Sequence, residues 1–219
     1  MTDFIVPFCE QQVSILYADE DIVVADKPSG LLSVPGKNPL NKDCLITRVQ
    51  QQYTDACIVH RLDMDTSGVM VLARGKENLS ALSRQFQERE TQKQYLAWVY
   101  GVLQEDKGEI DLPLRCDWPN RPKQMVDHEL GKPSLTRFEV LERKPKTLQT
   151  KVLLKPVTGR SHQLRVHMAQ IGHPISGCEF YAHSDALDQA GRLQLHAWKL
   201  TFIHPATGAL ITQVAPTVF

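Results

Sequence analysis

Short, uninterrupted apolar runs that stop at glycine or proline turns limit this chain's fold more than any other feature. Ile22-Val23-Val24-Ala25 ends at Lys27-Pro28-Ser29-Gly30, Val69 to Ala73 follows Gly68, and Tyr95 to Tyr100 is rich in aromatic and β-branched residues. Runs of this length with such flanks read as buried strands. Leu135 to Val140, Gln149 to Leu154 with its polar and apolar alternation, and Leu193 to Phe202 give further strands. Lys76 to Glu90 carries Leu79, Leu82 and Phe86 at spacings of three and four, which predicts an amphipathic helix. Ser161 to Ile171 predicts a second helix, with Ser161 as N-cap, Gly172 as its stop and Leu164, Val166, Met168 and Ile171 as its apolar contacts. Strands outnumber helices and are not separated by regular helical crossovers. The expected class is therefore α+β, a mixed, mostly antiparallel β-sheet flanked by helices and loops, rather than a doubly wound fold.

No Pro/Gly/Ser-rich or charge-run linker divides the 219 residues, so one domain is expected over residues 1–219, with 1–15 as a short leader. No run of about 18 apolar residues spans a membrane, and Met1 to Gln12 lacks the basic and apolar regions of a secretory signal. The expectation is a soluble, cytoplasmic protein with no membrane partner. Cys9, Cys44, Cys57, Cys116 and Cys178 are odd in number, widely spaced and free of CxxC pairs, which fits reduced thiols and argues against a structural zinc.

The formal net charge is zero, but its distribution is uneven. Residues 1–114 hold 11 Lys/Arg against 17 Asp/Glu, residues 115–165 hold 12 against 5, and residues 166–219 hold 2 against 3. The middle segment is basic by seven charges. Within it, Arg115-Cys116-Asp117-Trp118-Pro119-Asn120-Arg121-Pro122-Lys123 has two prolines that forbid a helix and keep a loop open. Arg121 and Lys123 beside Trp118 suit a phosphate backbone and an unstacked base, although a solvated surface would have the same composition.

Two segments concentrate polar chemistry. His60-Arg61-Leu62-Asp63-Met64-Asp65-Thr66-Ser67-Gly68-Val69 packs charged and small polar residues into a loop just before a buried strand, where sites are built on rigid scaffolds. Spacing alone also allows a capped turn in which Asp63 or Asp65 bonds nearby amides. In Thr158-Gly159-Arg160-Ser161-His162-Gln163-Leu164-Arg165-Val166-His167, four basic or imidazole side chains crowd a helix start. That arrangement suits a phosphate or a carboxylate that must stay ionised, or else a surface salt-bridge patch.

Taken together, HRLDMDTSGVMVLA, DKPSGLLSVPG, KQYLAWVYG, TGRSHQLRVHM and LQLHAWKLTF resemble the RluA family of RNA pseudouridine synthases, in the family's order over roughly residues 20 to 205. The resemblance implies the pseudouridine synthase fold. Too few residues precede the first strand for the N-terminal S4-type RNA-binding domain of many relatives, so none is expected. It also implies an isomerase that breaks the N-glycosidic bond of a uridine, rotates the uracil and makes a carbon–carbon glycosidic bond, with no cofactor and no metal. Asp63 matches the family's essential aspartate, acting as nucleophile at the anomeric carbon or base at the 2′ carbon. Arg165 matches the arginine that pairs with this carboxylate, and Tyr95 the KxY tyrosine that stacks on the extruded uracil. Arg61 matches the residue that fills the gap left by the flipped base. Arg121, Lys123, Arg160 and His162 are the further RNA-binding candidates, and Leu195 matches an apolar floor beside His196. The implied substrates are a tRNA anticodon stem-loop and a 23S ribosomal RNA hairpin, bound by a monomer.

Three other readings stay open at this point. A uracil-excising glycosylase also needs one carboxylate, but it releases free base. A metal-dependent hydrolase is disfavoured, because His162 and His167 are five apart and no HExxH occurs. A non-catalytic RNA-binding module would use the basic segment but gives no reason for a carboxylate in a site that attracts anions.

Overall fold

In the computed structural model, which describes residues 4–217 and 219, the elements in chain order are β1 (Ser14–Ala18), β2 (Ile22–Lys27), α1 (Leu45–Val49), β3 (Ala56–Ile58), β4 (Ser67–Arg74), α2 (Gly75–Glu88), β5 (Gln92–Tyr100), β6 (Lys107–Asp111), β7 (Leu114–Cys116), β8 (Gln124–Val126), β9 (Leu135–Lys144), β10 (Gln149–Pro156), α3 (Gln163–Gln170), α4 (Ser184–Asp188), β11 (Leu195–Ile203) and β12 (Leu210–Val214). A 3-10 turn, Pro145–Thr147, separates β9 from β10. The α+β expectation holds: four helices accompany mostly antiparallel strands. All of the strands read from the sequence are present. The strand expected from Leu193 starts at Leu195 and runs on to Ile203. β1 begins at Ser14, inside the segment read as a leader.

The chain packs as two compact units, one formed by residues up to Lys93 and from Ala197, the other by Gln94–His196 with Phe219. In the first, strands run in the order β1-β2-β4-β11, with β12 on β11 and β3 also on β4. β2 and β4 pair antiparallel from Ile22↔Ala73 to Lys27↔Gly68. Ile22, Val23, Val24, Ala25 and Val69 to Ala73 are almost fully buried, so both strands read as unbroken apolar runs rather than alternations. Each fully buried Val, Leu, Ile or Met side chain contributes roughly 1.5–3 kcal/mol. α2 packs against β3 and β4, and α1 against β3. Leu82 of α2 is buried, while Leu79 and Phe86 are only partly so. The helix ends at Arg89 in the left-handed conformation.

In the second unit the order is β5-β10-β9-β6, all antiparallel. Alternate residues of β9 face inward, Thr136 and Phe138 among them. Phe138 meets Val99, Val152, Leu154 and the Leu164 and Met168 of α3 in one core. α3 starts one residue later than the sequence suggests. Its N-cap is His162, held at φ +53°, and not Ser161, which is exposed. The start is fixed instead by the Gln163 side chain, whose Oε1 accepts from the Arg160 amide (3.0 Å) and the Thr158 hydroxyl (2.7 Å). Its Nε2 donates to the Leu135 carbonyl and to Thr136 Oγ1, each at 3.0 Å. Ile171, expected as an apolar contact, is 36% exposed and lies beyond the last helical residue.

The stretch read as an open loop is a closed hairpin. β7 and β8 pair through Leu114↔Val126, and the turn is bonded by Asp117 N to Lys123 O at 3.0 Å. Arg115 lies on β7 and forms an ion pair with Asp127. Among the described residues no helix is long and apolar enough to cross a membrane. The five cysteines are free thiols.

Gly68, at φ +118°, is the first core residue after the polar loop. A Cβ there would overlap the main chain of Ala197 on β11. Gly68→Ala is therefore expected to cost at least about 3 kcal/mol, combining backbone strain with a clash that neither strand relieves by itself. Chemical denaturation followed by circular dichroism measures this.

Candidate active site

The predicted site residues divide between the two units: Arg61 and Asp63 lie in the first, and Tyr95, Arg121, Lys123, Arg160, His162, Arg165 and Leu195 in the second. Each group is built by its own surroundings.

The loop that carries Asp63 is held by the DKPSGLLS segment, which bonds to the main chain of Leu62, Met64 and Asp65. Ser33 Oγ donates to the Leu62 carbonyl (2.7 Å) and accepts from the Leu62 amide (3.1 Å). The Gly30 amide and Lys27 Nζ both donate to the Met64 carbonyl, each at 2.9 Å. Ser29 Oγ donates to the Asp65 carbonyl at 2.7 Å. A turn bond from the Thr66 amide to the Asp63 carbonyl (3.2 Å) closes the loop. Bracing thus runs through backbone carbonyls on either side of Asp63. Asp63 is partly exposed and Arg61 is exposed.

Lys27 is fully buried and also donates to the carbonyls of Pro28 (2.9 Å) and Leu31 (2.7 Å). Burial pulls its pKa down to about 7, against the pull of the nearby Asp65, Asp63, Cys9 and Asp26. His60, at the head of the loop, stacks on Phe86 with ring centroids 4.4 Å apart, and its Nε2 accepts from the Val71 amide. Burial, assisted by the charge of Lys93, lowers its pKa to about 3. It is a neutral acceptor that ties the loop to β4.

In the second unit Arg165 is 1% exposed, the largest side chain to be so fully enclosed. Its Nε donates to Cys178 Sγ at 3.3 Å, and its guanidinium lies over the rings of Phe180 (5.0 Å) and Tyr181 (5.6 Å). A thiol and two aromatic faces help to hold its direction. Tyr181 has a second task. Its hydroxyl accepts from the Gln124 amide of β8 (2.8 Å) and bonds His162 Nδ1 (2.6 Å), so it ties the basic hairpin to the start of α3. At the hairpin tip, Arg121 lies 4.4 Å over the exposed Trp118 ring. Lys123 and Arg160 are partly exposed, and Arg160 Nε donates to the Pro133 carbonyl at 3.4 Å.

Tyr95 sits on β5 opposite Leu154, partly buried against the core that α3 covers. Leu195 is 3% exposed within that same core, so its surroundings are those of a packing residue. Cys178, Phe180, Tyr181, Lys27 and Ser33 were not singled out by the sequence reading. The signals available were a lysine at the end of a strand that opens with four apolar residues and an aromatic pair shortly after a cysteine, and neither has a diagnostic period.

A metal-ligand grouping also occurs in the first unit: Asp19, Asp21 and His204 place ligand atoms within 4.8 Å of one another. Their lone pairs already serve the fold. Asp19 takes the Tyr17 hydroxyl, His204 Nε2 and the amides of Asp21 and Ile22, and His204 Nδ1 accepts from Ala206 and Thr207. Burial raises the Asp19 pKa, but these hydrogen bonds outweigh it and hold the carboxyl at about 2.

Comparison with relatives places this antiparallel α+β scaffold among RNA-modifying isomerases. A family model described as RNA pseudouridylate synthase matches residues 21–170, and the chain belongs to that family. Proteins named dual-specificity RNA pseudouridine synthase RluA from Salmonella typhi and Escherichia coli K12 are each 54% identical over 210 residues, 96% of this chain and 95% of theirs. The protein of that name from Vibrio cholerae is 52% identical over 207 residues, 94% of this chain and 84% of its own. Human RNA pseudouridylate synthase domain containing 1 superposes with a TM-score of 0.80 at 30% identity, covering 96% of this chain and 86% of its own. Domain containing 4 gives 0.73 at 26% identity over 92% and 87%.

Tyr181→Phe removes the two hydroxyl bonds while keeping a ring under Arg165. Steady-state kinetics should show KM for RNA raised about threefold to tenfold, the worth of one or two hydrogen bonds, with kcat nearly unchanged. Tyr181→Leu should lower kcat as well.

Proposed function

We propose that this enzyme converts uridine to pseudouridine in two RNAs, a tRNA anticodon stem-loop and a 23S ribosomal RNA hairpin. The near full-length similarity to dual-specificity relatives supports this reading. The whole chain acts as one catalytic domain, a cytoplasmic monomer that needs neither cofactor nor metal. Asp63 is the catalytic carboxylate, attacking the anomeric carbon or removing the 2′ proton once the base has left the stack. The observation that carries this assignment is the bracing of its loop, through the carbonyls of Leu62, Met64 and Asp65, by a separate segment of chain. A side chain fixed in this way and left partly exposed is preorganised, and preorganisation is what a reacting group requires.

Arg165 supplies positive charge to the reaction, the role that its motif implies. Tyr95 offers its ring to the extruded uracil, and exposed Arg61 fills the vacated stack. Arg121, Lys123, Arg160 and His162 grip phosphates and unstacked bases, with the Arg121–Trp118 pair as a stacking platform. Leu195 supports the base from below through the core that it helps to fill. Isomerisation conserves the mass of the RNA: C5 gives its proton to solvent as it joins the ribose, N1 takes one up where its bond to the ribose has broken, and no base is released. This separates the reaction from base excision.

The test is incubation of purified protein with unmodified tRNA and ribosomal RNA transcripts in the presence of EDTA, mapping pseudouridine by its carbodiimide adduct. Wild type should modify one site in each RNA, and Asp63→Asn should form none while binding RNA within about threefold of wild type, since one neutral isostere replaces one carboxylate. Pseudouridine formed by Asp63→Asn at the wild-type rate would remove Asp63 from the mechanism.

A further inference from the structure

Lys27 lies in none of the roles assigned above, yet a fully buried ammonium is expensive to keep and is retained only where something holds it. Its three N–H groups meet three carbonyl acceptors, those of Pro28, Leu31 and Met64, at 2.7 to 2.9 Å. Two of these acceptors lie in the segment that follows β2. The third, Met64, is the residue next to Asp63 in another part of the chain. We infer that Lys27 is a positioning residue for the isomerase reaction: its ammonium fixes the Met64 carbonyl and through it the placement of Asp63. This deepens the assignment of Asp63 and rests on it.

The valence of the nitrogen makes the role specific to the charged form. An ammonium has three hydrogens for three carbonyls, whereas a neutral amine has two and must release one. Serine and glycine bonds brace the loop as well, but the Met64 carbonyl takes both the Gly30 amide and Lys27, so losing Lys27 leaves it a single, weaker tether. Burial draws the ammonium's pKa down to about 7, while the groups facing it, the carboxyls of Asp65, Asp63 and Asp26 and the thiol of Cys9, draw it upward. The charged form is therefore lost as the pH rises through about 7. Two consequences of one titration run in opposite directions. Raising the pH through about 7 loosens the loop and lowers kcat. Because the folded-state pKa lies below the unfolded value of 10.5, the unfolded chain holds the extra proton between about 7 and 10.5, so this group makes folding more favourable as pH rises across that window.

The experiment compares full-length wild type, Lys27→Met and Lys27→Arg on a tRNA transcript, with hydrogen exchange of the peptide spanning residues 60–66 followed by mass spectrometry. Lys27→Met should lower kcat about tenfold or more while KM changes less than about twofold, and should speed exchange of the 60–66 peptide about tenfold. Wild-type kcat should fall on the alkaline side, with that limb absent in Lys27→Met. Lys27→Arg, charged but forked, should recover part of kcat. If Lys27→Met does not fold, the wild-type pH profile and the Lys27→Arg exchange rate decide the matter. Unchanged kcat and unchanged exchange in a folded Lys27→Met, or a rise in KM that accounts for the whole loss, would overturn the proposal. Faster exchange with no wild-type pseudouridine would leave the positioning role standing and remove the function assigned to Asp63.

Discussion

A buried charge holds the reactive loop of this molecule in place. Lys27 closes β2, whose first four residues belong to the core, and its ammonium is shared among three carbonyls, one of which belongs to the loop that carries Asp63. With Ser29, Gly30 and Ser33 it joins two distant sequence motifs, DKPSGLLS and HRLDMDT, into one local structure. On the far side of the loop, Gly68 lets β4 approach β11 more closely than any side chain permits. The loop is thus pinned at both ends through its main chain.

Much of this was legible in the sequence. The unbroken runs of β2 and β4 gave their burial on both faces, and the alternation of β10 gave a strand with one core face, because side-chain period and burial are directly linked. The start of α3 was misplaced for a physical reason: a serine suits an N-cap, but the long-range bonds of Gln163 to Leu135 and Thr136 outweigh that local preference and push the helix start to His162. Prolines 119 and 122 were read as keeping a loop open, yet main-chain pairing between β7 and β8 closes it. Tertiary contacts overrode local signals in both places.

The site was legible unevenly. Asp63, Arg165 and Tyr95 came from a family resemblance, not from spacing, since a turn aspartate and a strand tyrosine have ordinary structural uses. The supporting residues were hidden because their roles depend on partners far away in sequence. Tyr181 meets His162 and Gln124 only in the folded chain, and Lys27 meets Met64 in the same way. The aromatic and thiol surroundings of Arg165 carry no periodic signature at all. Net charge was equally uninformative as a total, while its concentration between residues 115 and 165 pointed to the hairpin and the start of α3.

The central claim is that Asp63 drives an isomerisation in which C5 of the uracil exchanges its hydrogen for a bond to the ribose. The most direct measurement is release of tritium to water from RNA made with uridine labelled at C5, with free uracil assayed in the same reaction. Wild type should release tritium in step with pseudouridine formed and liberate no base, and Asp63→Asn should release none above background. Tritium release by Asp63→Asn at the wild-type rate, or the appearance of labelled free uracil, would contradict the account.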